Sequence, residues 1–65
     1  MSGESGGYVL QLTESELVSL YIVLTRHEGE LDERQQELLE RVAGLIYGLL
    51  SVEQIEQIES YYSSL

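Results

Sequence analysis

LTESELVSLYIVL, residues 12–24, decides the fold. Thr13-Glu14-Ser15-Glu16 is a helix-start signature. The Thr13 hydroxyl can accept from the Glu16 amide while the Glu16 carboxylate reaches back to the Thr13 amide, so two otherwise orphaned donors are satisfied. Leu12 and Leu17 flank this box at the positions of a hydrophobic staple. Leu17, Leu20, Tyr21 and Leu24 then follow at i, i+3, i+4 and i+7, with Val18 and Val23 on either side of the stripe and Ile22 nearly opposite its centre. An apolar arc this wide exceeds what one neighbouring helix covers, so the helix is expected to meet more than one partner.

The same start signal recurs along the chain. Asp32-Glu33-Arg34-Gln35 repeats the box without the staple, because Gln36 takes the apolar position, and Ser51-Val52-Glu53-Gln54 repeats it with Leu50 and Ile55 as the staple. Proline is absent. Gly29, after Arg26-His27-Glu28, suits a left-handed C-terminal cap, with Arg26 near the negative helix end, and Gly48 is placed to end the second helix. These signals predict helices over 14–28, 33–48 and 52–62. The short loop from Gly29 to Asp32 makes the first two an antiparallel hairpin. The second helix offers Leu38, Leu39, Val42, Leu45, Ile46 and Leu49 as a broad apolar face, and the third a narrower stripe of Val52, Ile55, Ile58 and Tyr62. The fold expected is mainly all-α: one small helical domain over 8–65, preceded by a Gly/Ser-rich flexible tail, MSGESGG, over 1–7.

Composition limits what this domain can do. Twelve acidic residues stand against three arginines and no lysine, a formal net charge of -9 over 65 residues. Such a surface repels nucleic-acid phosphates and anionic lipid and attracts basic protein. A chain this short buries only about 60% of its unfolded surface and is marginal unless something is added. With no cysteine and a single histidine, His27, neither a disulfide nor a closed zinc site within one chain is expected. A partner chain remains, and a homodimer is the expected form. The longest wholly apolar run, Leu20 to Leu24, is far short of the ~20 residues needed to span a membrane, and no secretory signal is read at the N-terminus. A cytoplasmic location without membrane association is expected.

Tyr8-Val9-Leu10-Gln11-Leu12 places apolar Tyr8, Leu10 and Leu12 at period two. It reads either as a strand paired with the same segment of a twofold-related chain, or as an extended lead-in packed by its apolar side chains. A short strand followed by a capped helical hairpin resembles the ribbon-helix-helix repressors. That resemblance implies a dimer architecture but not DNA binding, because Tyr8 to Leu12 lacks the basic side chains with which such strand pairs hold DNA.

Motifs for chemistry are missing. His27-Glu28 opens like a zinc-protease HExxH, but Leu31 stands where the second histidine is needed. There is no cysteine nucleophile, no glycine-rich phosphate loop and no Asp-x-Asp calcium loop. Paired catalytic carboxylates need a cleft that raises one pKa by burial, which 65 residues have little room to build. No enzyme activity, cofactor or metal is expected.

What remains is surface. Glu33, Glu37 and Glu40 lie on one side of the second helix, and Glu53, Glu56 and Glu59 recur every third residue on the third. They are either solvated faces or a docking surface for a basic partner. Tyr47, Tyr61 and Tyr62 lie near helix ends, where a large apolar ring with a polar tip suits an interface. Tyr8, Leu10, Leu12 and Ile22 are candidates for a dimer contact. Gly44 joins them if its spacing with Gly48 serves a close helix crossing; otherwise Gly48 is a cap and Gly44 incidental. The function expected is a small acidic protein–protein interaction module, a homodimeric regulatory or adaptor protein binding a partner with a basic surface. The alternative is an acidic DNA mimic or antirepressor that occupies the basic site of a nucleic-acid-binding protein.

Overall fold

A computed structural model describes residues 7–65. The expected tail over 1–7 therefore lies, but for Gly7, outside the described residues. The chain is mainly helical. Helix α1 spans Glu14–Arg26, a 3-10 turn spans Glu28–Glu30, and α2 spans Glu33–Leu49, α3 Val52–Glu56 and α4 Ile58–Ser63.

All three start boxes form. The Glu16 amide donates to Thr13 Oγ1 at 3.1 Å and the Thr13 amide to Glu16 Oε1 at 2.9 Å. At α2 the Gln35 and Asp32 amides donate to Asp32 Oδ1 and Gln35 Oε1, each at 2.8 Å. At α3 the Gln54 amide donates to Ser51 Oγ at 3.2 Å and the Ser51 amide to Gln54 Oε1 at 2.8 Å. Each box satisfies two of the donors a helix start leaves unpaired.

The expected stops are corrected in three places. Helix α1 ends at Arg26 rather than 28, and Gly29 is no left-handed cap: among the described residues only Gly7 has a positive φ, 64°. The chain tightens instead, with the Glu30 amide donating to the His27 carbonyl at 2.8 Å and the Leu31 amide to that of Glu28 at 3.3 Å. Such i to i+3 bonds carry the chain away from α1 in a tighter turn without any left-handed residue. Gly48 does not end α2, which runs on to Leu49 and stops at Leu50 in extended conformation, φ −113° and ψ 153°. Leu50 turns into the core, and Ser51 caps the next helix. The expected third helix is broken at Gln57, φ −117° and ψ 43°, into α3 and α4. The break re-aims the last turns, so Ile55, Ile58 and Tyr61 pack on the core while Tyr62 is more exposed.

The core gathers Val18, Tyr21, Ile22 and Leu24 of α1 with Leu39, Val42 and Ile46 of α2 and with Leu50. Val18 and Ile46 are fully buried at its centre. Helix α1 packs against both α2 and α4, and α2 also meets α3, so the wide arc of α1 is covered by two helices. This corrects the reading of Ile22 as a dimer contact. With α4 alongside α1, Ile22 is only 5% exposed and belongs to its own chain's core. The reverse holds on α2. Half of its expected apolar face (Leu39, Val42 and Ile46) is buried, while Leu38, Leu45 and Leu49 stand at 43%, 62% and 54% exposure. Within the single chain Tyr8 to Leu12 forms no strand, and as a lead-in it is not packed either, with Tyr8, Val9 and Leu10 almost wholly in solvent.

Candidate interaction surfaces

The acidic residues divide among several places. Glu33, Glu37 and Glu40 are exposed along α2. The break at Gln57 splits the other row, leaving Glu53 and Glu56 on α3 and Glu59 on α4. Glu59 is engaged: its Oε2 lies 3.2 Å from Arg26 Nη2, tying α4 to the end of α1. Both partners are more than half exposed, so the pair contributes about 0–1 kcal/mol. His27 Nδ1 lies 3.5 Å from Glu30 Oε1, an ion pair only when the imidazole is protonated.

The tyrosines differ more than their sequence positions suggest. Tyr61 is partly buried, and its hydroxyl donates to Glu14 Oε2 across the α1–α4 contact. That hydrogen bond first, then burial and the negative charge of Glu14, hold the Tyr61 phenol above its ordinary pKa. Tyr62 is exposed and stands with Arg26, Glu59, Ser19 and Val23 around a groove of about 380 Å³ between α1 and α4, with Ile22 beneath. Tyr47 is 61% exposed beside Tyr21. The Tyr21 phenol is raised by burial first, then by a hydrogen bond and charge from Tyr47, and then by the carboxylate of Glu28.

Tyr21, Thr25 and Glu28 follow one another along α1 and its 3-10 turn, and Gln36, Glu40, Ala43 and Tyr47 along one side of α2. These two rows, with Leu39, line a trough of about 250 Å³ between the helices. Gln36 Nε2 donates to the Glu28 backbone carbonyl at 2.8 Å and fixes one end of it. The fold thus unites Glu40 and Tyr47 from the expected set and adds Tyr21 and Glu28, which sequence reasoning did not assign to a site. Glu53 and Tyr61 line a third, open depression of about 330 Å³ with Gln54, Gln57 and Ser60. Glu33, Glu37 and Glu56 line none of these three depressions.

The dimer candidates are also exposed, Ile22 aside. Tyr8, Leu10 and Leu12 stand at 101%, 78% and 39% exposure. Gly44 lies in open space on α2, where an added Cβ would meet nothing within 4 Å. Among the described residues no cluster of three or more His, Cys, Asp or Glu side chains could hold a metal ion, and no helix is long and apolar enough to cross a membrane. No protein-family model, no curated protein and no solved structure matches this chain.

Proposed function

We propose that the chain is a small acidic protein–protein interaction module, a cytoplasmic regulatory or adaptor protein that acts as a homodimer and binds a partner with a basic surface. The observation that carries this reading is the apolar surface left uncovered. Leu38, Leu45 and Leu49 of α2, continued by Val52, and Tyr8, Val9 and Leu10 of the N-terminal arm all stay in solvent while the core holds eight side chains. Burying one such side chain contributes about 1.5–3 kcal/mol, so a partner chain that covers several adds much to a marginal domain.

The building unit in this reading is an antiparallel hairpin of α1 and α2, supported by Tyr21 meeting Tyr47 towards one end and Gln36 meeting Glu28 at the other. The arms of two copies pair as antiparallel strands centred on Leu10. Tyr8 then faces Leu12 of the second copy, and the apolar side chains share one face. No charged residue lies between Glu4 and Glu14, so two chains of net charge -9 meet there without direct repulsion. Gly44 lies about 100° round α2 from Leu45, so a close crossing there would use a different face from the exposed leucines. The acidic residues on the outer faces then meet the basic partner.

Sedimentation equilibrium tests the homodimer, and a monomer mass at micromolar concentration would end that part of the reading. Partner binding that weakens strongly as salt rises supports the acidic docking surface. Competition with DNA for one site on the partner would instead select the DNA-mimic alternative.

A further inference from the structure

The trough between α1 and α2 has a layout that none of the acidic rows has on its own. Its floor is apolar, with Leu39 buried and Ala43 partly so. Tyr21 and Tyr47 supply aromatic rings towards one end, and the Glu28 and Glu40 side chains line its rim. The ion pairs among the described residues are Arg26–Glu59 and His27–Glu30, so the Glu28 and Glu40 carboxylates belong to neither. Their hydrogen-bonding capacity faces solvent, since Gln36 uses only the backbone carbonyl of Glu28.

We infer that this trough receives an arginine side chain of a basic protein partner. The assignment rests on the interaction-module reading and names where on the module the basic partner is held. An arginine joins an apolar stem to a planar cation, and the trough brings complements to both into one lining. The stem lies over Leu39 and Ala43. The guanidinium stacks on the exposed ring of Tyr47, gaining a cation–π contact, and Glu40 and, from the far end, Glu28 supply the negative field that holds it. Lysine satisfies the charge but neither the stack nor the forked hydrogen bonding to a carboxylate.

The test is a titration of the full chain with capped tetra-arginine and tetra-lysine peptides at low salt, followed by NMR chemical shifts. Shifts concentrated at Tyr21, Glu28, Glu40 and Tyr47 are expected, with tetra-arginine bound several-fold more tightly. Glu28→Gln with Glu40→Gln should weaken tetra-arginine about tenfold, and Tyr47→Leu about fivefold. The charge-matched control Glu53→Gln with Glu56→Gln should change it by less than about twofold. All these side chains are exposed, and far-UV circular dichroism checks that each variant is folded. Equal weakening by the two glutamine pairs overturns the trough and leaves the wider acidic-docking reading standing. Equal affinity for the two peptides overturns the arginine assignment. Failure of both peptides to bind at low salt overturns both the trough and the acidic docking surface.

Discussion

The hydroxyl of Tyr61 donates to the carboxylate of Glu14, joining residues 47 positions apart and fixing the last helix to the start of the first. This bond exists only while the phenol keeps its proton. Because the Tyr61 pKa is raised in the folded chain, its contribution is complete below the ordinary tyrosine value and is lost as pH climbs through the raised one. Thermal melting followed from pH 8 to 11 should show stability falling from about pH 10 upward. Tyr61→Phe should lower the midpoint at pH 8 and flatten that alkaline decline; an unchanged decline would remove Tyr61 as its source.

Two adjacent residues of α2 should behave oppositely. Ile46 is fully buried against Val18, while Leu45 is 62% exposed. Ile46→Ala should cost about 2–5 kcal/mol in chemical denaturation, enough to unfold much of so small a domain. Leu45→Ala should change monomer stability by no more than about 0.5 kcal/mol. Similar losses at both positions would contradict the burial pattern.

Gly48 sits inside α2, with a negative φ and open space where a Cβ would lie. Gly48→Ala should therefore stabilise the chain by about 0.5–1 kcal/mol, because alanine restricts the unfolded chain and favours helix. A glycine acting as a left-handed helix stop would give destabilisation instead. Ser51→Ala, which removes the acceptor at the start of α3, should cost about 1 kcal/mol.

Self-association is tested at the two exposed apolar surfaces. Leu10→Glu on the arm and Leu49→Glu on α2 should each convert a dimer to monomer in sedimentation equilibrium. Both side chains are more than half exposed in the single chain, so the monomer fold should survive. Gly44→Leu separates the close-crossing idea from the rest: an unchanged mass would assign the dimer contact to the arm and the leucines alone.

What was legible in the sequence follows the range of the interactions. The helix starts at Thr13, Asp32 and Ser51 were readable because each rests on side chains three residues apart. The ends were less so. Gly29 and Gly48 offer permissive backbones, yet the 3-10 turn after His27 and the inward turn of Leu50 met the same need without them. Periodicity gave an apolar arc around α1 but not which neighbour covers which part, so Ile22 was turned outward while α4 in fact covers it. The candidate site was legible only in halves. Glu40 and Tyr47 stood out on their own helix, but Glu28 lies beyond the end of α1, and only the packing of α1 on α2 brings it to the same trough.

The break at Gln57 also bears on how the molecule comes apart. It leaves helices of five and six residues, well below the ~12–15 at which an isolated helix becomes even marginally stable in water. The C-terminal fifteen or so residues are therefore ordered by what they rest on, namely the side chains of Ile55, Ile58 and Tyr61 against the core and the polar links to Glu14 and Arg26. Among the helices they should open most readily, as a latch that lifts while α1 and α2 stay together. Amide protons in α3 and α4 should then exchange ahead of those at the centre of α2, and each lifting would bring Ile22 briefly into water.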